Sequence, residues 1–184
     1  MLYITRHGKT DWNKEQRLQG RTDIPLNEEG REMARRARDE YKDLHIDICY
    51  CSPLKRAKET AEILLEGRNI PIIYDDRLLE MCFGECEGRK NYFDDPDFPL
   101  HLLFNDPGNY TTSIGGAETF EELFHRTGEF LEQVVKPQLQ QGRDILIVGH
   151  GAMNASIVCQ VKDLPVSEFW SAGLAQCKLL ELTL

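Results

Sequence analysis

Two short apolar segments of the sequence end in side chains that can attack or hold an anion. The first, Leu2–Thr5, stops at Arg6 and His7, and the second, Ile145–Gly149, stops at His150. Neutral imidazole is a competent nucleophile, and the guanidinium group is a planar, permanently charged fork of hydrogen-bond donors. A single histidine at a strand end is more often structural than catalytic, so these residues indicate chemistry only if the fold brings them together.

Two further residues complete the candidate site. Arg56 follows Ser52-Pro53, a pair typical of a helix start, and helix N-termini attract anions. Glu80 follows a third strand-like segment and could serve in proton transfer. Taken alone, Arg56 could be a solvated helix cation, and Glu80 is one of 31 acidic residues. The interpretation depends on all of these residues emerging at one edge of a sheet.

The order of the predicted elements favours such an edge. Strand-like segments alternate with helical patterns, which is typical of an α/β fold with a mostly parallel sheet flanked by helices. In such sheets, ligands bind beyond the carboxyl ends of the strands. Helix starts are indicated at Asn27, Ser52-Pro53, the capping box Thr119–Glu122 and His150-Gly151. The predicted strands are Leu2–Thr5, Ile46–Cys51, Ile70–Tyr74, Ile145–Gly149 and Cys177–Leu182.

One long segment has weak periodicity. Residues Arg89–Gly116 are rich in Asp, Pro, Asn, Gly and aromatic residues, which favours a lid or a binding insert over a simple connection. Its aromatic residues could line a leaving-group pocket, or they could form a small core that only seals the domain. These aromatic residues are Tyr92, Phe93, Phe98, Phe104 and Tyr110.

The composition of the chain argues against several classes of function. The chain has 184 residues and a net charge of −9, which argues against a nucleic-acid partner. A signal-peptide pattern is lacking, and no apolar run approaches the roughly 18 residues of a membrane span, so we expect a cytoplasmic protein without a membrane partner. The six cysteines lack the spacing of a zinc site and are expected to be reduced core thiols.

Seven motifs, taken together in their order along the chain, resemble the histidine phosphatase superfamily, the phosphoglycerate mutase-like group, and in particular its small bacterial phosphatase branch. They are TRHGKTDWN from Thr5, Gln19-Gly20, PLNEEG from Pro25, CSPLKRAKETA from Cys51, LEMCFGECEG from Leu79, GGAETF from Gly115 and VGHG from Val148. The resemblance implies one domain over residues 1–184, with a phosphoglycerate mutase-like three-layer fold and a lid-like insert at about 89–117.

The resemblance also implies roles for individual residues. His7 matches the nucleophile, which becomes phosphorylated, and Glu80 matches the acid that protonates the leaving oxygen. Arg6, Arg56 and His150 match the group that grips the phosphoryl oxygens. Substrate contacts are implied for Asn13, Gln19, Gly20 and Gly151.

The sequence departs from the family pattern at two positions. Lys9 stands where relatives often carry Glu or Gln, and Cys82 stands where they often carry an acidic or aromatic residue. Lys9 follows the catalytic pair and is not expected to abolish the chemistry. Cys82 is expected to alter the wall of the leaving-group pocket.

These observations predict a metal-independent phosphomonoester hydrolase that acts on a small phosphorylated metabolite and needs no cofactor. Two arginines supply the charge that a metal would otherwise bring to phosphoryl transfer. A phosphoglycerate mutase remains an alternative, but Arg89–Gly116 lacks the Arg-Arg pair that such mutases carry. Two further candidates are a metallohydrolase, which the histidine spacing disfavours, and a non-catalytic phosphate-binding module. The sequence does not predict the oligomeric state.

Overall fold

A five-stranded, mostly parallel sheet forms the centre of the protein. The computed structural model describes residues 1–184, apart from the side chain of Ala172. The strands are β1 (Leu2–Arg6), β2 (Ile48–Cys51), β3 (Ile72–Tyr74), β4 (Ile145–Gly149) and β5 (Leu180–Leu182), in the spatial order β3-β2-β4-β1-β5. The first four strands are parallel, and β5 pairs antiparallel with β1.

Helices surround the sheet. They are α1 (Asp11–Lys14), α2 (Glu28–Glu40), α3 (Lys55–Leu64), α4 (His101–Asn105), α5 (Phe120–Phe130), α6 (Lys136–Gln140) and α7 (Gly151–Lys162). A π-helical turn, Leu131–Val135, joins α5 to α6. Short 3₁₀ turns occur at Asp76–Leu78, Gly84–Cys86, Tyr92–Asp94, Pro107–Asn109 and Val166–Ala172. The fold is therefore the predicted α/β arrangement, and no helix of the described residues is long and apolar enough to cross a membrane.

Burial on both faces explains why the strands read as continuous apolar runs. All five residues of β4 are buried. Ile145 and Ile147 pack in one hydrophobic cluster with residues of α5 and α7, whereas Leu146 and Val148 pack in another with residues of α2 and α3. Successive side chains of a strand point to opposite faces, so a strand covered by helices on both sides must be apolar throughout.

The register of β1 against β4 brings the two histidines to the same edge. Leu2 pairs with Ile145 and Arg6 pairs with Gly149, so both strands end at the same level. The pairing continues one step further, because the His7 N–H donates to the Gly149 carbonyl at 3.0 Å. His7 and His150 therefore leave the sheet side by side, as predicted.

The predicted helix starts are correct except for one. Asn27 caps α2, Thr119 forms a capping box with Glu122 at α5, and His150 precedes α7. The predicted start at Ser52-Pro53 is wrong, because α3 begins at Lys55 without a side-chain cap. The Ser52 hydroxyl oxygen accepts only a long bond of 3.4 Å from the Leu54 N–H, and it lies 2.7 Å from Nε2 of His150.

Three predicted strands begin too early, because apolar character reports burial rather than sheet pairing. Ile46 is buried in the core but precedes the paired residues of β2. Ile70 and Leu179 likewise pack against the core before β3 and β5 begin. Five of the six cysteines are buried, as predicted, and Cys82 is partly exposed.

The loop after His7 lies against the first turn of α2. A Cβ atom on Gly8 would come within 2.6 Å of the Gly30 carbonyl oxygen, and one on Gly30 would come within 2.0 Å of the Lys9 oxygen. The Asn27 N–H also donates to the Lys9 carbonyl at 3.0 Å. Glycine is required at both positions because the two backbones approach so closely. This contact fixes the chain immediately after His7.

Candidate active site

The predicted site residues converge on one cavity at the carboxyl ends of β1 and β4. The cavity has a volume of about 340 Å³. Eight of the nine residues named from the sequence line it, and the ninth, His150, lies directly behind, with its ring centroid 5.2 Å from that of His7. The eight are Arg6, His7, Asn13, Gln19, Gly20, Arg56, Glu80 and Gly151.

His7 is held in one tautomer and in the neutral form. Its Nδ1 atom lies 2.6 Å from the Gly8 carbonyl oxygen. A carbonyl oxygen can only accept a hydrogen bond, so Nδ1 carries the proton and Nε2 keeps its lone pair. Burial lowers the pKa of His7 well below its usual value, and the charges of Arg56 and Arg6 lower it further, against the opposing effect of the Gly8 carbonyl. Neutral Nε2 is the nucleophilic form of imidazole.

His150 is a second neutral imidazole behind the first. Its pKa lies well below the usual value because the ring is completely buried, and the neighbouring Arg56, His7 and Arg6 act in the same direction. Ser52, which follows β2, fixes one ring nitrogen through the 2.7 Å contact to Nε2. The other nitrogen, Nδ1, is buried and has no partner among the described residues.

Arg56 is a fully buried cation that carbonyl groups rather than a carboxylate hold in place. Its Nη1 donates to the Thr22 carbonyl at 2.8 Å and its Nη2 to the Gly20 carbonyl at 2.5 Å. Burial lowers the pKa of Arg56 to about 10, so the side chain stays charged at neutral pH. Because no carboxylate of the described residues forms an ion pair with it, its charge remains available to an anion in the cavity.

Unpartnered polar atoms concentrate at the site. Among the described residues, four buried side-chain nitrogen or oxygen atoms lack a partner. Three of them belong to the site, namely Nε of Arg6, Nε of Arg56 and Nδ1 of His150. Leaving a buried polar group unpaired costs about 1–3 kcal/mol, so such groups are rare unless a ligand uses them. Two guanidinium donors beside a neutral histidine are the kind of groups that can bind an anion.

Glu80 lies across the N-terminus of α7, a position that the sequence did not reveal. Its Oε1 accepts from the backbone N–H groups of Met81 at 2.8 Å and Met153 at 2.9 Å, and its Oε2 accepts from that of Ala152 at 3.3 Å. The side chain is only 8% exposed. These three bonds fix the carboxyl group next to Gly151, which also lines the cavity.

Asn13 and Gln19 also line the cavity, and protein donors already use their amide oxygens. Oδ1 of Asn13 accepts from the Thr10 N–H at 3.0 Å and from Nε2 of Gln176 at 3.1 Å. Oε1 of Gln19 accepts from the Thr10 hydroxyl at 2.7 Å. The amide nitrogens of both side chains are therefore the groups that can donate to a ligand.

Glu87 supports the loop that holds Arg56, and sequence reasoning missed it. Its Oε1 accepts from the Thr22 N–H at 2.9 Å, and its Oε2 accepts from the N–H groups of Arg21 at 3.1 Å and Phe83 at 3.0 Å. Gly20 lies within this loop with φ +56°, and a Cβ atom there would lie 2.3 Å from Glu87 Oε2. The carboxylate thus fixes the two carbonyl groups that hold Arg56.

Aromatic side chains form the other half of the cavity. The insert contributes Tyr92, Phe93 and Phe104, and two residues outside it, Phe83 and Trp170, complete the wall. Phe104 stacks on Trp170 with ring centroids 5.3 Å apart. The remaining aromatic residues of the insert behave differently, because Phe98 and Tyr110 are buried in a core cluster. The insert therefore combines the two roles, pocket wall and small core, between which its sequence did not decide.

Neither departure from the family pattern reaches the cavity. Lys9 pairs with Glu29 at 2.6 Å on the exposed surface. Cys82 does not line the cavity, so its expected effect on the leaving-group wall is wrong. Its side chain instead faces a separate depression beside Glu118 and Arg126.

In the described part of the chain, the only three-residue grouping with metal-ligand spacing is His45, Asp47 and Asp144. It lies where β2 and β4 begin, at the opposite edge of the sheet.

Comparisons with known proteins relate the chain to phosphatases and phosphoglycerate mutases. The family model described as "Histidine phosphatase superfamily (branch 1)" matches residues 2–184. An uncharacterized phosphatase, PhoE, from Bacillus subtilis is 37% identical over 86% of this chain and 75% of its own length. A probable phosphoglycerate mutase, GpmB, from Salmonella choleraesuis is 32% identical over 97% of this chain and 82% of its own. The structure of Bacillus stearothermophilus YhfR has a TM-score of 0.85 at 34% identity, covering 97% of this chain and 88% of its own.

The two buried histidines give a prediction for folding stability. An unfolded histidine titrates near pH 6.5, whereas burial lowers the pKa of His7 and His150 in the folded state. Below about pH 6.5 the unfolded chain binds more protons, so the free energy of unfolding should fall as pH falls. Between about pH 7 and pH 5.5 we expect a loss of about 1 kcal/mol for each of the two histidines, measured by urea denaturation. His150→Gln should remove about half of this dependence, and a stability that does not change over this range would contradict the assignment.

Proposed function

The chain belongs to the histidine phosphatase superfamily, and we propose that it hydrolyses phosphomonoesters through a phosphohistidine intermediate on His7. The observation that carries the proposal is the state of His7, a neutral imidazole whose free Nε2 adjoins two arginines with unpartnered buried donors. Phosphoryl transfer needs an in-line nucleophile and compensation for the negative charge on the equatorial oxygens. The cavity offers both.

The first half of the reaction forms the intermediate. The phosphoryl oxygens bind to Arg6, Arg56 and His150, and Nε2 of His7 attacks phosphorus. As the bond from nitrogen to phosphorus forms, the bond from phosphorus to the ester oxygen breaks. Glu80, as a carboxylic acid, gives its proton to the departing oxygen, so that an alcohol leaves rather than an alkoxide. The three backbone bonds to Glu80 hold its carboxyl group at the cavity, so they support its position there and not its protonation.

The second half releases phosphate. A water molecule takes the place of the alcohol, and the Glu80 carboxylate accepts a proton from it. The resulting hydroxide oxygen bonds to phosphorus while the bond from phosphorus to Nε2 breaks. His7 returns to the neutral form and Glu80 to the protonated form. The positive charge that the step needs comes from arginine, so the proposed cycle requires no metal ion.

The aromatic wall supports a substrate whose alcohol carries an apolar or ring-bearing part. Besides Arg6 and Arg56, one further cation of the described residues lines the cavity, namely Arg17. Its Nε already donates to Glu15 at 2.6 Å and its Nη1 to the Gly88 carbonyl at 3.2 Å. A small acidic metabolite such as a phosphoglycerate would need a further cation for its carboxylate. Because Arg17 is already engaged, the cavity favours hydrolysis of the phosphate ester of an uncharged alcohol over the mutase alternative.

The intermediate can be tested directly. We expect brief reaction with p-nitrophenyl phosphate in EDTA, followed by an alkaline quench, to add one phosphoryl group to the peptide that contains His7. Mass spectrometry of the digest measures it. His7→Asn should lose both the modification and nearly all activity, and turnover should continue in the chelator. Full activity of His7→Asn would refute the mechanism, and a loss of activity in EDTA that zinc or magnesium restores would favour a metallohydrolase.

The aromatic wall gives a second test. Phe93 lines the cavity but is 60% exposed, so Phe93→Ala should fold normally. Losing this ring should lower kcat/KM for a naphthyl phosphate about fivefold relative to glycerol phosphate, as expected from about 1 kcal/mol of lost apolar contact. Leu102→Ala is the matched control, since Leu102 is 42% exposed on the same insert and does not line the cavity. Equal losses for both substrates would remove the insert from substrate selection.

A further inference from the structure

We infer that the ion pair between Glu118 and Arg126 positions Glu80 for proton transfer. This inference rests on the proposed acid role of Glu80. Both residues lie outside the cavity and do not touch a substrate bound there, so they act only through the backbone that carries Glu80. They are positioning residues rather than catalytic ones.

Arg126, on α5, binds the chain just before Glu80. Its Nη1 donates to the carbonyl groups of Arg77 and Leu79, each at 2.7 Å. Its Nε and Nη2 donate to the two carboxylate oxygens of Glu118, at 2.7 and 3.1 Å. The fork of the guanidinium group thus holds a carboxylate with one side and two main-chain carbonyls with the other, which a lysine could not do.

Glu118 binds the chain just after Glu80. Its Oε2 accepts from the Cys82 N–H at 3.1 Å, and its own N–H donates to the Cys82 carbonyl at 2.8 Å. The Glu80 carbonyl between these points accepts from Nε of Arg21 at 3.2 Å. The ion pair therefore holds the chain on both sides of Glu80.

The segment needs this support because it has no regular secondary structure. Residues 79–83 lie between two 3₁₀ turns and outside any helix or strand. Buried main-chain groups must still find hydrogen-bond partners, and here side chains supply several of them. A displacement of about 1 Å can cost about a hundredfold in rate when a catalytic group must meet a particular atom.

Because the ion pair is buried, a contribution to folding stability does not by itself explain it. The side chains of Arg126 and Glu118 are only 14% and 8% exposed. A buried ion pair often contributes no more stability than apolar residues of the same size, because both charges lose their hydration. The three bonds from the side chains of this pair to the backbone of residues 77–82 are what an apolar pair would lack.

The test depends on the leaving group. A positioned acid matters for an alkyl phosphate, whose alkoxide is a poor leaving group, and matters little for p-nitrophenyl phosphate. We expect Arg126→Met to lower kcat for glycerol phosphate at least about tenfold more than kcat for p-nitrophenyl phosphate. Arg77→Met is the matched control, because it removes another arginine–carboxylate pair, to Asp75 at 2.6 Å, from the same part of the chain. It should change both rates in parallel.

A double-mutant comparison separates this inference from the proposed function. Glu80→Gln should show the same leaving-group selectivity, and Arg126→Met should add no further selective loss in that background. Arg126→Lys keeps the charge but not the fork, so its selectivity should lie between those of the wild type and Arg126→Met.

Each contrary result has one meaning. If Glu80→Gln slows both substrates equally, Glu80 is not the acid and that part of the proposed function fails. If Glu80→Gln is selective but Arg126→Met is not, the positioning inference fails alone. If neither Arg126 variant folds while Arg77→Met does, the ion pair is a stability element and the inference is wrong.

Discussion

The neutral, buried imidazole of His7 is the constraint on which the rest of the structure depends. A histidine beside two guanidinium groups cannot bear a charge of its own, and burial strengthens that exclusion. Neutrality alone does not make a nucleophile, because the proton could occupy either nitrogen. The Gly8 carbonyl settles this by accepting from Nδ1, and the contact between Gly8 and Gly30 holds that carbonyl in place. The register of β1 against β4, the position of α2 and the glycines at positions 8 and 30 therefore all help to keep Nε2 of His7 unprotonated.

The positive charge of Arg56 in the same site remains available to a ligand, because carbonyl groups hold this side chain. In an acidic chain of net charge −9, carboxylates are available to pair with every arginine, yet carbonyl groups hold Arg56. The carboxylates of Glu80 and Glu87, near the site, instead accept hydrogen bonds from backbone N–H groups. Carbonyls orient a guanidinium group without cancelling its charge. An anionic ligand can therefore complete the electrostatics of the pocket, which is the arrangement that phosphoryl transfer requires.

The sequence predicted the parts of this site that local pattern determines. Arg6, His7 and His150 follow strands whose apolar runs are unmistakable, and the rule for parallel sheets brings them to one edge. What it could not predict depends on contacts between distant segments. In the sequence Ser52 resembles a helix cap, but in the structure its hydroxyl contacts His150. Cys82 lies outside the cavity wall although the nearby residues Glu80 and Phe83 line it. Trp170 enters the cavity wall from near the far end of the chain, where no local signal marks it.

The protonation of His7 in the free protein tests the central claim most directly. In ¹⁵N-labelled protein, the two ring nitrogens of His7 can be distinguished by NMR, and the His7→Asn variant assigns their signals by removing them. At about pH 6, where an ordinary histidine is largely protonated, we expect Nδ1 to carry a proton and Nε2 to be an unprotonated, pyridine-like nitrogen. An imidazolium at that pH, or a neutral ring with its proton on Nε2, would contradict the account.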